Sequence, residues 1–484
     1  MTPEEFRAAA HELVDWIADR RAGIEELPVR PDVEPGDIVA ALPESPPTEP
    51  ATPDEVRRDL EEVIAPGITE VQHPMHFGWF PANAALSSIL GDFASSGLGS
   101  LGISWESSPA LTEVEEVVVD WMRQLSGLSG EWKGVIQDTA STACLVAMLA
   151  ARERATDHAQ VGEGLRGFDR PLCVYTTSEA HSSVRKAALL AGFGGNRVRQ
   201  VEVDPWTRDM VSTDLADRME ADRAAGLVPA IVVASAGSTG TTAFDPVDEI
   251  VEIARSFGAW VHVDAAMAGA AMLLPEQRHL FTGVDGADSI SWNPHKWFGT
   301  ILDCSLMYLR DPQHLIRVMS TDPSYLRSTL GGEATQYRDW GIPLGRRFRA
   351  LKLWYQLRID GVDAIRARLR RDLDNARWLA GVLADLPEWE VVAPVRLQTV
   401  CVRHCPTGAD GEPLAGEALD EHTLRWVRSI NRSGQAFLSP ATLDAPDGRA
   451  RWMVRVSIGV EATERHHLER LVELIASAVE EPIG

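Results

Sequence analysis

Near the amino terminus, apolar residues recur with the period of a helix. The first turn begins with an N-cap, a first-turn proline and a capping-box glutamate, Thr2-Pro3-Glu4-Glu5. The apolar positions that follow at helical spacing are Phe6, Ala10, Leu13, Val14 and Ile17. The pattern predicts an amphipathic helix, and its apolar stripe must be buried against another surface.

A proline-rich stretch follows this helix. Eight prolines lie between Pro28 and Pro53 together with several acidic residues, a composition that extends the backbone and cannot build a core. We therefore predict an arm that reaches across a neighbouring chain, and we assign residues 1–80 to a helical and proline-rich dimerisation arm.

Between about residues 130 and 310 the pattern alternates between short apolar runs and amphipathic helices. Continuous apolar strands separated by helices predict a mostly parallel sheet covered on both faces, an α/β fold. Ligands bind such sheets at the carboxyl ends of the strands. The predicted strands are Leu172–Thr176, Ala230–Ala234, Trp260–Val263, Ser289–Trp292 and Ser305–Leu309.

The carboxyl-terminal part has a different character. Helices are predicted over Arg346–Arg358 and, after a break at Gly361, over Val362–Leu379. Beyond them, strand patterns near residues 389–392, 399–402 and 452–458 precede a last helix over 464–480, which predicts a smaller α+β domain. The expected division is therefore a large domain over residues 81–375 and a small one over 376–484.

Composition excludes several classes of partner. The chain has 46 Lys+Arg against 71 Asp+Glu, a formal charge of −25, and no basic cluster that could follow a phosphate backbone, so nucleic acid and anionic membranes are not expected partners. No apolar run approaches the roughly 18 residues of a spanning helix, and residues 1–20 carry five acidic groups, unlike a signal peptide. The five scattered cysteines predict a reducing, cytoplasmic location.

Residues with catalytic chemistry follow several predicted strands. Lys296 lies in the turn Asn293-Pro294-His295-Lys296-Trp297, where poor hydration favours the neutral amine and a Schiff-base nucleophile. Asp264 lies at the end of the predicted strand Trp260–Val263, and its carboxylate can keep a pyridine nitrogen protonated. His181 and Thr239 also follow strands. Each residue alone has an ordinary explanation, as a helix cap, a turn or a solvated lysine.

A possible phosphate site precedes the helix predicted from Cys144 to Arg152. Its hydroxyl-rich sequence is Gln137-Asp138-Thr139-Ala140-Ser141-Thr142-Ala143. Free backbone amides and the helix dipole at such an N-terminus bind phosphate, although a hydroxyl-capped helix is the commoner meaning of such a stretch.

The order of these elements resembles the group II pyridoxal-phosphate decarboxylases of fold type I, and aromatic L-amino acid decarboxylases most closely. The order is a phosphate turn, a stacking histidine, a hydroxyl turn, an aspartate at a strand end and a lysine. The resemblance covers nearly the whole chain and rests on Asn293-Pro294-His295-Lys296-Trp297, with support from His73-Pro74, Ser104-Trp105, Ser107-Ser108-Pro109 and Thr112-Glu113.

This resemblance implies an aspartate aminotransferase-like fold that binds pyridoxal 5'-phosphate (PLP). Lys296 is implied to bond to the cofactor aldehyde, Asp264 to pair with the ring nitrogen, and His181 to stack on the ring. Tyr325 matches a tyrosine of a mobile catalytic loop that returns a proton after carbon dioxide leaves. The other implied cofactor residues are Ala266 on the second ring face, Thr139, Ala140, Ser141, Asn293 and His295 at the phosphate, and Thr239 near the ring hydroxyl.

The resemblance also implies a substrate wall shared between two chains. Its residues are Trp79, Phe80, Pro81, Leu101, Ile103 and Leu302, and the region that holds them implies a homodimer with composite active sites. Ile103 and Leu302 replace the phenylalanines common in animal members, which widens the pocket toward tryptophan or 5-hydroxytryptophan. Ala82 replaces a hydroxyl near the substrate carboxylate.

Other functions remain open at the level of sequence. A PLP-dependent aldehyde synthase of the same family is the nearest alternative, although Tyr325 argues against it, and Trp79 disfavours a relative acting on acidic or other non-aromatic amino acids. A metal-dependent hydrolase using His262, Asp264 and His295 lacks the ligand spacing of catalytic zinc, so we predict no catalytic metal. A cofactor-free interaction protein would leave the four residues predicted to be catalytic unexplained.

Overall fold

The computed structural model describes residues 1–321, 334–408, 411–444 and 449–480. The proposed catalytic Tyr325 lies outside these residues. Within them, no helix combines the length and the apolar composition needed to cross a membrane.

A seven-stranded sheet forms the centre of the larger part of the chain. Its spatial order is β1-β7-β6-β5-β4-β2-β3, and only β7 runs opposite to the other strands. The predicted mostly parallel α/β sheet is therefore confirmed. The strands are β1 Lys133–Gln137, β2 Leu172–Thr177, β3 Val198–Val201, β4 Val228–Ser235, β5 Trp260–Asp264, β6 Ser289–Trp292 and β7 Ser305–Leu309.

Helices cover both faces of this sheet, and the two apolar cores lie on either side of it. The helices from the amino terminus to the end of this region are α1 Pro3–Ala22, α2 Asp37–Ala41, α3 Pro53–Asp59, α4 Leu86–Leu98, α5 Pro109–Ser126, α6 Ala140–Ala155, α7 Ala159–Glu163, α8 Ser182–Leu190, α9 Ser212–Ala224, α10 Val247–Phe257, α11 Gln313–Met319 and α12 Ala350–Ile359.

One predicted helix begins later than expected. The sequence pattern placed its start at Arg346, whereas α12 begins at Ala350. The backbone carbonyl of Arg346 accepts a hydrogen bond from Gly102 N (3.0 Å), and its guanidinium bonds to buried Glu115 (2.6 Å). These tertiary contacts hold Arg346 outside the helix, so that part of the prediction was wrong.

A four-stranded antiparallel sheet with order β10-β11-β9-β8 lies in the carboxyl-terminal region, as the α+β pattern predicted. The sequence analysis missed β10 and α14. The elements are α13 Val362–Asp385, β8 Trp389–Val391, β9 Thr399–His404, α14 Gly416–Ser433, β10 Ser439–Asp444, β11 Ala450–Ser457 and α15 Arg465–Glu480.

Helix α13 packs on both parts of the chain. Its first half buries Ile365 and Leu369 in a core of the large sheet, and its second half buries Leu379 and Leu383 against the small sheet. The helix begins after Gly361, whose positive φ of 77° allows the predicted break. The boundary proposed between residues 375 and 376 falls inside this helix, and the three-part division stays a prediction.

The first helix has the predicted capping box, in which Thr2 and Glu5 bond to each other's backbone nitrogens. None of its residues is buried, and Phe6 and Val14 of the apolar stripe remain about half exposed. The stripe is therefore only partly covered within the described part of one chain.

Candidate active site

Five parallel strands end at one edge of the large sheet, and a cavity of about 240 Å³ lies there. Residues that follow β1, β2, β4, β5 and β6 line it, as expected for ligands at the carboxyl ends of parallel strands. All ten residues proposed to bind the cofactor meet in this cavity: Thr139, Ala140, Ser141, His181, Thr239, Asp264, Ala266, Asn293, His295 and Lys296.

Lys296 occupies a tight turn directly after β6. Within the helical turn Pro294–Phe298 its own backbone is not helical, with φ −105° and ψ −116°. Asn83 Nδ2 donates to the Lys296 carbonyl (3.3 Å), and the Lys296 amide donates to the Asn293 carbonyl (3.0 Å). These bonds fix the backbone from which the side chain enters the cavity.

The amine of Lys296 is less basic than an ordinary lysine. Burial lowers its pKa, the charge of Asp264 raises it, and the charge of Arg455 lowers it again. Its Nζ lies 5.2 Å from the centre of the Phe80 ring. A larger share of neutral amine makes Lys296 a better nucleophile toward a carbonyl carbon.

Asp264 is held at the end of β5, in register with Ser235 of β4 and Ser291 of β6. Its Oδ1 accepts a hydrogen bond from the amide of Ala266 (3.0 Å), which orients the carboxylate. This carboxylate lines the cavity at the end of β5 and can hold a proton on a ring nitrogen.

His181 and Ala266, the two residues proposed to face the cofactor ring, are held in place in different ways. His181 caps helix α8, where its Nδ1 accepts a hydrogen bond from Ser183 N (3.2 Å). Burial lowers the pKa of His181, and the charge of Asp264 opposes this effect. The cap and the cavity-lining position are compatible, because the cap fixes the ring while its face remains available. Ala266 lines the same cavity with a side chain small enough to lie against a flat ring.

The amino end of helix α6 supplies donors for an anion. The helix begins at Ala140, four residues earlier than predicted, with Thr139 as its N-cap. The free amides and the dipole of this end favour a phosphate. His295 Nδ1 accepts from Cys304 N (2.9 Å) and burial lowers its pKa to about 4, so the neutral ring carries its proton on Nε2, as a donor.

The proposed substrate residues are only partly brought together in one chain. Phe80 lines the cavity, and Pro81 is buried next to Gly459. The others do not line it: Ile103 is half-buried, and Trp79, Leu101 and Leu302 are 55%, 52% and 58% exposed. A single chain therefore presents much of the proposed substrate wall on its surface.

Arg455 was missed by the sequence analysis. It projects from β11 and is buried. Its guanidinium carbon lies over the ring of Phe80, 4.9 Å from the ring centre. It donates to the carbonyls of Gly240 (2.9 Å) and Trp79 (3.2 Å), so it joins the hydroxyl turn to the predicted substrate wall. No local motif marks it, because its partners are 215 and 376 residues away in sequence.

Several other lining residues were not predicted, although all lie within four residues of one that was. Ser235 ends β4, and Met267 follows Ala266. A rule that included the residue on each side of every candidate would have found Met267 and Ser238, but not Ser235. The remaining ones are Ser183, Gly237 and Ser238.

The metal-hydrolase alternative does not assemble. His262 is fully buried inside the sheet, where Nδ1 lies 2.8 Å from Ser289 Oγ, and burial lowers its pKa to about 4. Among the residues that the structure describes, His262, Asp264 and His295 do not form a cluster with ligand spacing.

The groups in the cavity fit PLP. An aldehyde requires an amine, a pyridine nitrogen requires a carboxylate, and a phosphate requires donors, and the cavity offers Lys296, Asp264 and the amino end of α6 for these parts. The fold and this donor set together define a fold type I PLP-dependent enzyme.

Comparison with known proteins agrees with this class. The family model described as pyridoxal-dependent decarboxylase conserved domain matches residues 35–405. The chain therefore belongs to the pyridoxal-dependent decarboxylase family. It is a PLP-dependent carboxy-lyase, which confirms the enzyme class, the fold type and the cofactor predicted from the sequence.

The names of several similar proteins refer to aromatic substrates or products. Tryptophan decarboxylase 2 of Oryza sativa subsp. japonica is 36% identical, with 100% of this chain and 96% of that protein covered. Phenylacetaldehyde synthase of Arabidopsis thaliana is also 36% identical, with 98% and 96% covered. The crystal structure of Oryza sativa TDC with PLP and tryptamine has a TM-score of 0.93 at 35% identity and covers 99% and 98%.

Proposed function

We propose that this enzyme decarboxylates an aromatic L-amino acid to the corresponding arylalkylamine and carbon dioxide. The observation that carries the proposal is the meeting of Lys296, Asp264 and the aromatic Phe80 in one cavity. The kinship to aromatic amino acid decarboxylases supports the same reaction.

The residue roles follow from their positions. Bound PLP supplies an electron sink for the pair released when the carboxylate leaves. Lys296 would hold the cofactor through its Nζ, whose pKa burial lowers, and would release it when the substrate amine binds. Asp264 would keep the proton on the ring nitrogen, and His181 would lie against the ring. Tyr325, outside the described residues, is our candidate for the group that returns a proton to the substrate carbon.

Arg455 supports this chemistry indirectly. Its charge lowers the pKa of Lys296, and its bond to the Trp79 carbonyl orders the backbone beside Phe80. With Ala82 in place of the expected hydroxyl, the chain has one polar group fewer for the substrate carboxylate. We assign Arg455 a positioning role.

The small residues in the proposed substrate wall favour substrates with large side chains. Ile103 and Leu302 are smaller than phenylalanine, and they leave space for an indole. We therefore propose tryptophan or 5-hydroxytryptophan ahead of DOPA, tyrosine and phenylalanine.

A product assay tests the proposal. The PLP-loaded enzyme is incubated with an equal mixture of tryptophan, 5-hydroxytryptophan, DOPA, tyrosine, phenylalanine and glutamate, and the products are identified by mass spectrometry. We expect arylalkylamines, with the indole amines in excess, and no product from glutamate. The variant I103F provides the control for width, because it should shift the products toward the phenyl amines. Amines from glutamate alone would refute the aromatic assignment.

The second candidate is an aldehyde synthase, which the kinship to phenylacetaldehyde synthase favours. It would consume dioxygen and water and release aldehyde, carbon dioxide, ammonia and hydrogen peroxide in place of the amine and carbon dioxide. Tyr325 supports the decarboxylase. The same assay separates the two reactions, because peroxide in step with aldehyde would indicate the synthase.

We further propose a homodimer in which each active site uses both chains. The exposed wall residues Trp79, Leu101 and Leu302 need a covering surface. Leu90 and Phe93 on α4, and Phe6 and Val14 on α1, are also exposed and apolar. Exposed apolar area of this extent is typical of a protein interface.

Five free cysteines and the absence of basic clusters support a cytoplasmic dimer that does not bind nucleic acid.

Complementation tests the shared site. We expect L101R and K296R to be inactive as separate proteins, because one blocks the wall and the other lacks the nucleophile. Co-expressed with different tags, they should recover about a quarter of wild-type activity, since half of the dimers are mixed and each mixed dimer holds one intact site. Inactive mixed dimers, isolated through both tags, would show that each site belongs to one chain.

A further inference from the structure

Side chains from distant segments hold the turn that carries Lys296. Three successive backbone carbonyls, those of Lys296, Trp297 and Phe298, accept hydrogen bonds from such side chains. Trp297 and Phe298 are fully buried, so water cannot supply these bonds. The backbone of Lys296 is not helical and cannot continue a regular helix. Side-chain donors therefore complete the hydrogen bonding of this turn.

Arg368 on helix α13 makes two of these bonds. Its Nη2 donates to the carbonyls of Trp297 (2.7 Å) and Phe298 (2.7 Å), the two residues directly after Lys296. The side chain is 11% exposed, and its Nη1 lies 3.8 Å from Asp372 Oδ2, one helical turn further along α13. Hydrogen bonds from a charged donor are stronger than those from a neutral one. Arg368 is therefore the principal anchor of the turn.

Asp372 adds a second attachment from the same helix. It is fully buried, and its Oδ2 accepts a hydrogen bond from Trp297 Nε1 (2.9 Å). Burial lowers the pKa of Arg368, and the charge of Asp372 opposes this effect. The helix itself is firmly placed, because Ile365 and Leu369 are buried in a core of the large sheet. The turn is thus held from outside the cavity on a rigid element.

Gly299 leaves space for this arginine. Its φ is 109°, a conformation that favours glycine, and a Cβ there would lie 3.3 Å from Arg368 Nη2 and 3.1 Å from Gln356 Nε2. Gln356 of α12 donates to the same Phe298 carbonyl (3.3 Å). A side chain at position 299 would therefore crowd two donors that hold the turn.

We propose that Arg368 is a positioning residue for the cofactor reaction, because it fixes the backbone from which Lys296 enters the cavity. Arg368 lies outside the cavity lining, so its effect passes through the two carbonyls that it binds. The inference rests on the proposed role of Lys296 as the residue that bonds to PLP. A catalytic group displaced by about 1 Å loses about a hundredfold in rate, so a loosened turn is expected to slow the reaction.

Replacing Arg368 with methionine tests the role. R368M keeps an unbranched side chain and removes both donors. At saturating PLP we expect kcat to fall at least about tenfold for the amino acid consumed fastest in the product assay, with KM changed less than about twofold. Titration of the apoenzyme with PLP, followed by the yellow absorbance, should show at least about tenfold weaker binding.

A lysine at the same position should rescue both properties. The two bonds come from one nitrogen of Arg368, and an ammonium group has enough donors to make both. We therefore expect R368K to recover most of the kcat and PLP affinity that R368M loses. R368Q, with a shorter neutral amide, should lie between R368M and the wild type, and it serves as the milder variant if R368M does not fold.

Arg366 on the same helix supplies the matched control. Its Nε donates to the Leu273 carbonyl (2.9 Å), outside the lysine turn, and its side chain is 24% exposed. R366M removes a comparable bond from α13 and should keep kcat, KM and PLP affinity within about twofold of the wild type. Melting temperatures of all variants show whether each one folds.

Two outcomes would overturn the proposal, and they can be told apart. Folded R368M or R368Q with the kcat and PLP affinity of R366M would show that Arg368 contributes only to stability, while the role of Lys296 stands. A K296R variant that keeps a borohydride-sensitive chromophore would place the attachment on another lysine and would refute the proposed site together with this inference. We expect K296R to lose the chromophore and R368M to lose affinity for PLP.

Discussion

Replacing Lys296 with arginine should abolish decarboxylation and remove the yellow colour of the PLP-loaded enzyme. Arginine retains the positive charge beside Asp264 but provides no amine that can bond to an aldehyde. We expect kcat to fall by at least about a thousandfold, as when other covalent catalytic groups are removed. Steady-state assays with tryptophan and a visible absorbance spectrum measure both effects.

The neighbouring lysine supplies the control for this substitution. Lys186 is exposed on α8, near His181, and its charge contributes to lowering the pKa of that histidine. K186R should retain the colour and most of the activity. If K296R kept a borohydride-sensitive chromophore, another lysine would be the attachment site and the assignment of the cavity would be wrong.

Acidification should destabilise the enzyme steeply between pH 6.5 and 4. Burial lowers the pKa of four histidines to about 4, namely His76, His262, His295 and His422. Below pH 6.5 the unfolded chain binds protons that the folded chain refuses, so stability is fully present above pH 6.5 and declines as the pH falls toward 4. Each histidine contributes about 3 kcal/mol to this loss.

Two buried carboxyl groups oppose the loss without cancelling it. Burial raises the pKa of Asp245 to about 7 and that of Asp372 to about 6, so their folded forms gain protons first as the pH falls. Four histidines outweigh these two groups, and the net loss is comparable to the whole stability of a typical domain, about 5–15 kcal/mol.

A single variant isolates one histidine. Urea unfolding at several pH values, followed by tryptophan fluorescence, should give a shallower dependence on pH for H422Q than for wild type, by about 1.4 kcal/mol per pH unit. H279Q, at an exposed position, should match the wild type. Identical slopes for H422Q and wild type would show that folding does not lower the pKa of His422.

The sequence predicted the central strands well because burial on both faces leaves a continuous apolar record. Strands β2 and β7 have that record and were placed within one residue. Strand β1 was missed, since it begins with Lys133 and Gly134, and β3 was missed because its middle residues, Arg199 and Gln200, are polar. Edge strands do not require apolar residues on both faces, so their pattern is weaker.

The residues proposed to bind the cofactor could be placed at one edge of the sheet for a related reason. Each follows a strand or caps a helix, so its place in the sequence determines its place at the edge of the sheet. Arg455 and the start of α12 depended on contacts between distant segments, which no local pattern contains. The exposed wall of Leu101 and Leu302 depends on a surface that a single chain does not have.

Helix α13 has a consequence for how the protein can come apart. Because one continuous helix buries Ile365 in the core of the large sheet and Leu383 in that of the small sheet, melting either half removes a wall from the other. The two parts are thermodynamically coupled through a shared structural member, and neither can be removed at residue 375 without exposing the interior of its neighbour. Evolution could alter the loops at the sheet edge freely, whereas an exchange of the whole carboxyl-terminal part would have to carry this helix with it.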